Sequence, residues 1–222
     1  MSAAAAQVSY EDLYARWERG NWRATEIDFT EDRRQWHELL TPHERRAALW
    51  QYAMFFHGED AVADDLAPFI DAAPREEQKY FLCTQQVDEA RHAVFFKRFL
   101  NEVVGSGDGS VAGTLQAVEP ELTWGFRKTF ALLDEITGAL RSDRSAVALA
   151  RAVTMYHIVV EALLAQPGQH FISDYLGGGT SCPASARACV RWRWTSSATS
   201  ASASSCSTTC AASPAWSTPS RT

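Results

Sequence analysis

Apolar residues recur at steps of three and four through the middle of this 222-residue chain, which is the spacing of one face of an α-helix. The clearest series follows Thr41-Pro42-His43-Glu44, a capping box with proline at the first helical position. A helix is therefore predicted from about Pro42 to Ile70. Its inward stripe consists of Leu49, Tyr52, Phe56, Ala63 and Leu66.

The same periodicity and the turn residues predict three more helices. The second starts near Pro74 and runs to about Val104, where the glycine-rich segment 105–109 ends it. The third spans about Glu119 to Leu140. Ser142 is predicted to cap a fourth helix from about Asp143 to Ala165, which Pro167-Gly168 ends. Alternating strand patterns are missing, so the predicted fold class is all-α, a helical bundle.

Carboxylates interrupt three of these apolar stripes. Glu59 continues the stripe of the first helix, Glu89 and His92 precede Phe96 and Phe99 on the second, and Glu161 shares a face with Ala150, Val153 and Leu164 on the fourth. Burying a carboxylate costs several kcal/mol unless it is paired, protonated or metal-bound. Two bound cations would remove the repulsion among three buried carboxylates.

The Glu89-Ala90-Arg91-His92 segment places a glutamate and a histidine one helical turn apart, the ligand spacing of di-metal carboxylate bundles. Taken alone, Glu89 and His92 could form a surface ion pair, and Glu59 could be a surface carboxylate beside Asp60. The order and spacing of all four residues favour a metal site. Mixed oxygen and nitrogen ligands suit iron or manganese better than structural zinc.

Charge divides the chain into two parts. Residues 1–176 hold all 27 acidic residues, whereas residues 177–222 hold four arginines, four of the five cysteines and three tryptophans. The net negative charge of residues 1–176 does not indicate the basic surface that nucleic-acid binding needs. The N-terminus has no signal-peptide pattern, and no apolar run approaches the ~20 residues of a membrane span. These features predict a cytoplasmic protein.

Residues 177–222 contain no Leu, Ile, Phe, Asp, Glu or Lys and follow no helical or strand period. A solvated disordered tail is one interpretation, but such tails are poor in tryptophan and cysteine. A GC-rich gene translated in the wrong frame yields this composition. We therefore expect a ferritin-type domain over 1–176 that lacks its last part, and an out-of-frame, unstructured tail over 177–222.

Four separated motifs resemble the ribonucleotide reductase small-subunit superfamily, which has a ferritin-like helical bundle. They occur in the expected order within residues 14–176: Trp22-Arg23-Ala24-Thr25-Glu26-Ile27-Asp28-Phe29, Gly58-Glu59-Asp60-Ala61-Val62, Asp88-Glu89-Ala90-Arg91-His92 and Tyr156-His157-Ile158-Val159-Val160-Glu161. Within the superfamily the chain most resembles the ligand-binding oxidases. Phe96 stands where conventional subunits keep a radical tyrosine, and Glu59 where many carry aspartate.

This resemblance implies a set of roles. Glu59, Glu89, His92 and Glu161 would be metal ligands, Val62 and Tyr156 the pair that these oxidases join by an ether cross-link, and Trp22 an electron-transfer residue. Val62 and Tyr156 would otherwise be ordinary core residues, and Trp22 a packing residue of the N-terminal arm. The implied cofactor is one manganese and one iron ion, or two iron ions.

The resemblance also implies a two-electron oxidation driven by O2, a nearby long-chain fatty acid or other small apolar ligand, and a homodimer. One departure matters: the family has a second Glu-x-x-His on a later helix, and none follows Glu161. A shifted frame over Thr195–Thr199 can encode Asp-Glu-Gln-Arg-His. As written, the chain is expected to expose an apolar face, to be unstable and to lack oxidase activity.

Two other functions are compatible with these residues. One is a ribonucleotide reductase small subunit that uses a manganese–iron centre instead of a tyrosyl radical. The other is non-enzymatic: a ferritin-like metal-binding bundle, or a broken product without function.

Overall fold

The computed structural model describes the backbone of residues 8–177 and the side chains to residue 172. Apart from Gly177, the predicted tail lies outside the described residues. The described part contains helices and no strands, as predicted. Its α-helices are α1 Tyr10–Arg19, α2 Thr30–Glu38, α3 Pro42–Ala72, α4 Glu76–Phe99, α5 Val111–Val118, α6 Trp124–Ala139, α7 Ala146–Val153 and α8 Gln166–Gly177.

The central helix α3 begins where the capping box predicted. The Glu44 backbone N–H donates to Thr41 Oγ1 (3.3 Å), and the Thr41 N–H donates to Glu44 Oε2 (2.7 Å). Both bonds satisfy donors that a helix start leaves without intrahelical partners. From this start α3 packs along α4 and also contacts α5, α6 and α7.

The second predicted helix ends as expected but changes its winding first. Helix α4 passes at Leu100 into a π-helical segment, Leu100–Val104, and Gly105 stops it with a left-handed φ of 81°. The Gly105 and Ser106 N–H groups both donate to the Leu100 carbonyl, which closes the helix end. A residue with a Cβ would be strained at this φ, so the glycine is required there.

The predicted starts of the third and fourth long helices are wrong by a few residues. Residues Glu119–Glu121 form a 3-10 turn, and Thr123 caps α6. Ser142 does not cap a helix, because it belongs to the turn that ends α6 and its hydroxyl donates to the Ala139 carbonyl. Ser145 caps α7 instead, accepting a hydrogen bond from the Ala148 N–H.

Pro167-Gly168 does not end the last helix, contrary to prediction. Helix α7 continues as a π-helical segment, Thr154–Ala165, and then as α8. The Gln166 N–H donates to the Glu161 carbonyl, five residues earlier. A π turn already replaces the i−4 bond that proline would disrupt, so the chain stays helical through Pro167.

This winding also changes which residues face inward. Leu164, predicted on the inward stripe with Glu161, is 50% exposed, and Leu163 is 64% exposed. Ile158 and Phe171 add to this exposed apolar surface at 40% and 58%. The sequence predicted that the chain exposes an apolar face without placing it on a particular helix, and these four residues are exposed apolar positions of the last helix.

The segment Ala146–Ile172 is long and apolar enough to cross a membrane, with a mean hydropathy of 1.6. The sequence had predicted no membrane span, so this segment differs from that expectation. Of its most apolar stretch, 44% is buried inside the protein, and it carries the buried Glu161. The core helix of a soluble bundle has the same properties, so this segment is weak evidence for a membrane span.

Two buried clusters make up most of the core. One is centred on aromatic side chains of α3 and α4: Tyr52, Phe56, Phe95, Phe96 and Phe99. The other joins α3, α6, α7 and the following π-helical segment: Val62, Leu66, Phe69, Leu133, Val153 and Tyr156. Glu59 lies on α3 between Phe56 and Val62, where the two clusters meet.

Candidate metal centre

Three ligand-type side chains converge between α3 and α4. Glu59 comes from α3, and Glu89 and His92 come from successive turns of α4. Their ligand atoms all lie within 4.8 Å of one another, and all three residues are buried. His92 Nδ1 lies 3.0 Å from Glu59 Oε2 and 3.1 Å from Glu89 Oε2. This is the grouping that the sequence predicted for these residues.

A glycine next to Glu59 allows a close helix contact on the other side of α3. A Cβ on Gly58 would lie 3.2 Å from Phe130 Cζ, so the Phe130 ring would have to shift by a few tenths of an ångström to admit a larger residue. Phe130 was not among the residues predicted from the sequence. Its stacking partner Phe126 lies four residues earlier on the same face of α6, a spacing that could have pointed to the contact.

Burial and mutual contacts shift the pKa values of the ionisable groups in this cluster. Loss of hydration raises the pKa of Glu59 well above its usual range and does the same for the pKa of Glu161. Burial alone would lower the pKa of His92, but the Glu59 and Glu89 carboxylates raise it to about 10. Burial opposes ionisation of Glu89 too, yet hydrogen bonds from Glu59, His92 and Tyr156 lower its pKa.

The fourth predicted ligand lies nearby but outside this tight group. Glu161 is 6% exposed, and the charges of Glu89 and His92 both influence its pKa. It lies on the π-helical segment and is not among the three side chains whose ligand atoms meet.

The predicted cross-link pair also borders the cluster. The Tyr156 hydroxyl donates to Glu89 Oε1 at 2.8 Å, and Tyr156 is 1% exposed. Val62 is 3% exposed and belongs to the same buried cluster as Tyr156. The structure thus binds Tyr156 to Glu89 through a hydrogen bond and places Val62 in the same buried cluster as Tyr156.

Trp22 packs directly against the candidate centre. Its ring lies nearly parallel to His92, with centroids 6.1 Å apart and planes inclined by 20°. The guanidinium of Arg91 lies over the Trp22 ring at 5.6 Å and over the Trp17 ring at 5.9 Å. Asp88 pairs with Arg91 at 2.7 Å, and both side chains are largely buried. Trp22 therefore packs against His92, one of the predicted metal ligands.

The side chain of Phe96 lies among aromatic rings, and its own ring carries no hydroxyl group. It is fully buried, stacks on Phe55 with centroids 5.5 Å apart, and contacts Tyr52 and Phe95. A radical tyrosine is therefore absent from this position.

A buried polar pair beside the centre was not predicted from the sequence. Gln85 lies one turn before Glu89, and His157 Nε2 approaches Gln85 Oε1 at 3.4 Å. Both residues are at most 3% exposed. Gln85 follows Gln78 at a helical step of seven on α4, so a buried polar row could have been read from the spacing.

An all-helical bundle with glutamates and a Glu-x-x-His buried on facing helices is the arrangement that ferritin-like di-metal carboxylate proteins have. Comparison with known proteins makes this more specific. Residues 6–110 match the sequence model of the family described as ribonucleotide reductase, small chain.

The whole fold is similar to solved structures of R2-like ligand-binding oxidases. One from Sulfolobus acidocaldarius is 25% identical, covers 96% of this chain and 77% of its own, and has a TM-score of 0.82. A tyrosine-to-phenylalanine variant with an aerobically reconstituted Mn/Fe cofactor is 25% identical, with 90% and 72% coverage and a TM-score of 0.78.

A glycine-to-leucine variant with an Fe/Fe cofactor is also 25% identical, with coverages of 90% and 69% and a TM-score of 0.78. These findings confirm the predicted resemblance to the ribonucleotide reductase small-subunit superfamily and, within it, to the ligand-binding oxidases. The fold is the ferritin-like bundle of that superfamily.

Proposed function

We propose that this chain represents a di-metal oxidase that activates O2 and carries out a two-electron oxidation. The observation that carries the proposal is the convergence of Glu59, Glu89 and His92, with the Tyr156 hydroxyl bound to the same Glu89.

The residues fit a pair of cations. Glu59, Glu89, His92 and Glu161 would hold them, since buried carboxylates whose pKa is raised by desolvation are stabilised as anions by a nearby metal. One manganese and one iron ion, or two iron ions, suit this oxygen and nitrogen donor set. When bound, the metals would supply the electrons that reduce O2.

Tyr156 and Val62 would be the internal substrate. A cross-link forms one bond from the Tyr156 oxygen to a Val62 carbon and breaks one O–H and one C–H bond. Two protons and two electrons leave the protein, and O2 is the acceptor. Glu89 Oε1 accepts a hydrogen bond from the Tyr156 hydroxyl, so the Glu89 carboxylate is placed to receive the phenol proton.

Other expected features follow from the resemblance and are proposals for this chain. A long-chain fatty acid or another small apolar ligand would bind near the metals, and the protein would be cytoplasmic and homodimeric. Trp22 would carry electrons to the centre, which its stacking on His92 supports.

The ligand set is incomplete in the sequence as written. Di-metal bundles use a second Glu-x-x-His, and no such motif follows Glu161. We therefore propose that residues 177–222 are translated out of frame and that the oxidase belongs to the intact form. Resequencing the gene around the codons for Leu176 to Gly179 tests this directly, because a single-base insertion or deletion should restore the frame.

Loading with metal tests the function. The chain as written and a frame-restored version are given Mn(II) and Fe(II) in air, and bound metal and intact mass are measured. We expect two metal ions and a two-dalton mass loss in the frame-restored protein, and neither in the chain as written. Tyr156→Phe should abolish the mass loss, whereas Tyr80→Phe, on the exposed side of α4, should leave it unchanged.

The reductase small subunit remains the second candidate because its family model matches residues 6–110. It would bind two metals without forming the cross-link and would support ribonucleotide reduction with a large subunit. Metal binding with iron oxidation alone would indicate a ferritin-like bundle, and failure of the frame-restored protein to bind metal would reject all three.

A further inference from the structure

Two tryptophans share one arginine between the candidate metal centre and the surface. The guanidinium carbon of Arg91 lies 5.6 Å from the ring centroid of Trp22 and 5.9 Å from that of Trp17. Trp22 also stacks on His92, with centroids 6.1 Å apart. A continuous series of contacts therefore runs from Trp17 through Arg91 and Trp22 to a predicted metal ligand.

The outer end of this series reaches solvent. Trp17 is half-buried and lines an open cleft of about 520 Å³ between α1 and α4. Tyr14 is 38% exposed and lines the same cleft, and its ring centroid lies 5.9 Å from that of Trp17. Trp22, by contrast, is only 4% exposed. A redox-active molecule in solution thus meets Trp17 before it meets Trp22.

We propose that Trp17 is the surface electron-transfer residue of this protein and passes single electrons to Trp22 across the Arg91 contact. The inference rests on the proposed oxidase function for its use. Reduction of O2 to water takes four electrons, and the cross-link between Tyr156 and Val62 supplies two. The other two have to be replaced from a one-electron reductant in solution, such as ascorbate.

Each electron moves inward by two exchanges between rings. Trp22 that has given one electron to the centre is left as an indole radical cation, and it takes one electron from Trp17. Trp17 is then the radical cation and takes one electron from the reductant, which is oxidised by one electron. Both indoles return to their starting state, and no proton has to move between them.

Arg91 is the positioning residue of this path. Its planar guanidinium stacks on aromatic faces, so one side chain sets the place of both indoles. An unpaired cation there would oppose positive charge on either ring. The Asp88 carboxylate lies 2.7 Å from the Arg91 guanidinium, and the two side chains are only 8% and 12% exposed. This ion pair leaves little net charge between the rings.

Trp17 is also the only oxidisable aromatic residue of the described part that Trp22 reaches through a shared contact. The rings that Trp22 contacts directly are those of His92 and Phe95, the latter at 6.3 Å. Phenylalanine is not oxidised at potentials that oxidise indole. An electron that leaves or enters Trp22 from the surface therefore passes by way of Trp17.

Photo-oxidation of the full chain in chelator tests the path without metal. A ruthenium–bipyridyl photosensitiser is attached to Cys83, which is exposed and lines the same cleft, and the other four cysteines are replaced by serine. Light and a cobalt(III) ammine acceptor remove one electron from the complex, and the resulting ruthenium(III) takes one electron from Trp17. Mass spectrometric peptide mapping then measures oxidised Trp22, which we expect to form although this ring is buried.

Two substitutions of Trp17 separate redox chemistry from packing. Trp17→Phe removes the oxidisable ring and should lower the yield of oxidised Trp22 several-fold. Trp17→Tyr removes the same indole but keeps an oxidisable phenol, so it should keep most of that yield. Trp50→Phe is the matched control, because Trp50 is 40% exposed on α3 and lies outside this series, and the yield should not change.

Three results would overturn the proposal: no oxidation of Trp22 in the wild type, equal yields in the wild type and Trp17→Phe, or a Trp17→Tyr variant that loses as much as Trp17→Phe. Misfolding does not imitate the expected loss, because unfolding exposes Trp22 and raises its oxidation.

Arg91→Lys tests the positioning role. Lysine keeps the positive charge but lacks the planar group that covers both rings, so oxidised Trp22 should fall while oxidised Trp17 is unchanged. An unchanged yield at Trp22 would contradict the role of Arg91. Because no metal is present, failure of this path and failure of the oxidase are separate results. Absence of metal loading in the frame-restored protein rejects the oxidase, whereas absence of Trp22 oxidation here rejects the path.

Discussion

The burial of His157 predicts how the free energy of unfolding depends on pH, and this prediction involves no metal. Its imidazole is 3% exposed, and loss of hydration lowers its pKa from 6.5 to about 4. Glu89 and the Val153 carbonyl act in the opposite direction but do not overcome burial. In the unfolded chain His157 is hydrated and keeps its ordinary pKa.

The sign of the effect follows from proton binding. Between about pH 6.5 and pH 4 the unfolded state binds a proton at His157 that the folded state does not, so acid favours unfolding. A shift of about 2.5 units corresponds to about 3.4 kcal/mol when the full window is crossed. At about pH 5 the loss from this group alone is about 2 kcal/mol.

Other groups titrate as well, so the assay compares wild type with His157→Phe. Phenylalanine keeps an aromatic ring against Phe69 and Tyr156 and removes the titration. The free energy of unfolding is measured by urea titration in chelator at about pH 7.5 and about pH 5. The lost contact with Gln85 adds an offset that does not depend on pH. We expect the stability of the wild type relative to the variant to fall by about 2 kcal/mol on acidification. A relative stability that is the same at both pH values would refute the buried neutral histidine.

Three further predictions concern the fold. Thr41→Ala removes the cap of α3 and should cost about 1 kcal/mol in urea unfolding, and an unchanged midpoint would contradict the cap. Gly107→Ala should destabilise the protein more than Gly109→Ala. Both glycines have a φ of 89°, but only a Cβ on Gly107 would lie 2.6–3.0 Å from Thr114 atoms. Equal thermal midpoints of the two variants would argue against that contact. Phe96→Ala, at a fully buried position, should cost about 3–5 kcal/mol by urea titration, and a loss below about 1 kcal/mol would show that this aromatic cluster repacks.

Local signals were read well from the sequence. The cap at Thr41 depends on residues within one turn, and so does the spacing that puts Glu89 and His92 on one face of α4. The glycine stop at Gly105 is equally local, because only glycine adopts that φ at low cost. The predictions of the fold class and of Glu89 and His92 as neighbouring ligands rested on these local features.

Predictions that needed contacts between distant segments were less accurate. The helix through Pro167 was cut short and Leu164 was placed inside, because both predictions assumed α-helical winding throughout. Burial of Tyr156 and Glu161 accompanies a π-helical segment that rotates later residues outward. The choice between Ser142 and Ser145 as cap likewise depended on how α6 ends.

The sequence by itself determined that this protein is an all-helical bundle with carboxylates and a histidine on inward stripes, because helical period, caps and ligand spacing are properties of neighbouring residues. Only the tertiary structure decided that Tyr156 binds Glu89, that His157 approaches Gln85 and that Glu161 lies outside the group formed by Glu59, Glu89 and His92. Those facts depend on which helix faces lie against one another, and side-chain packing between helices that are distant in sequence sets that arrangement.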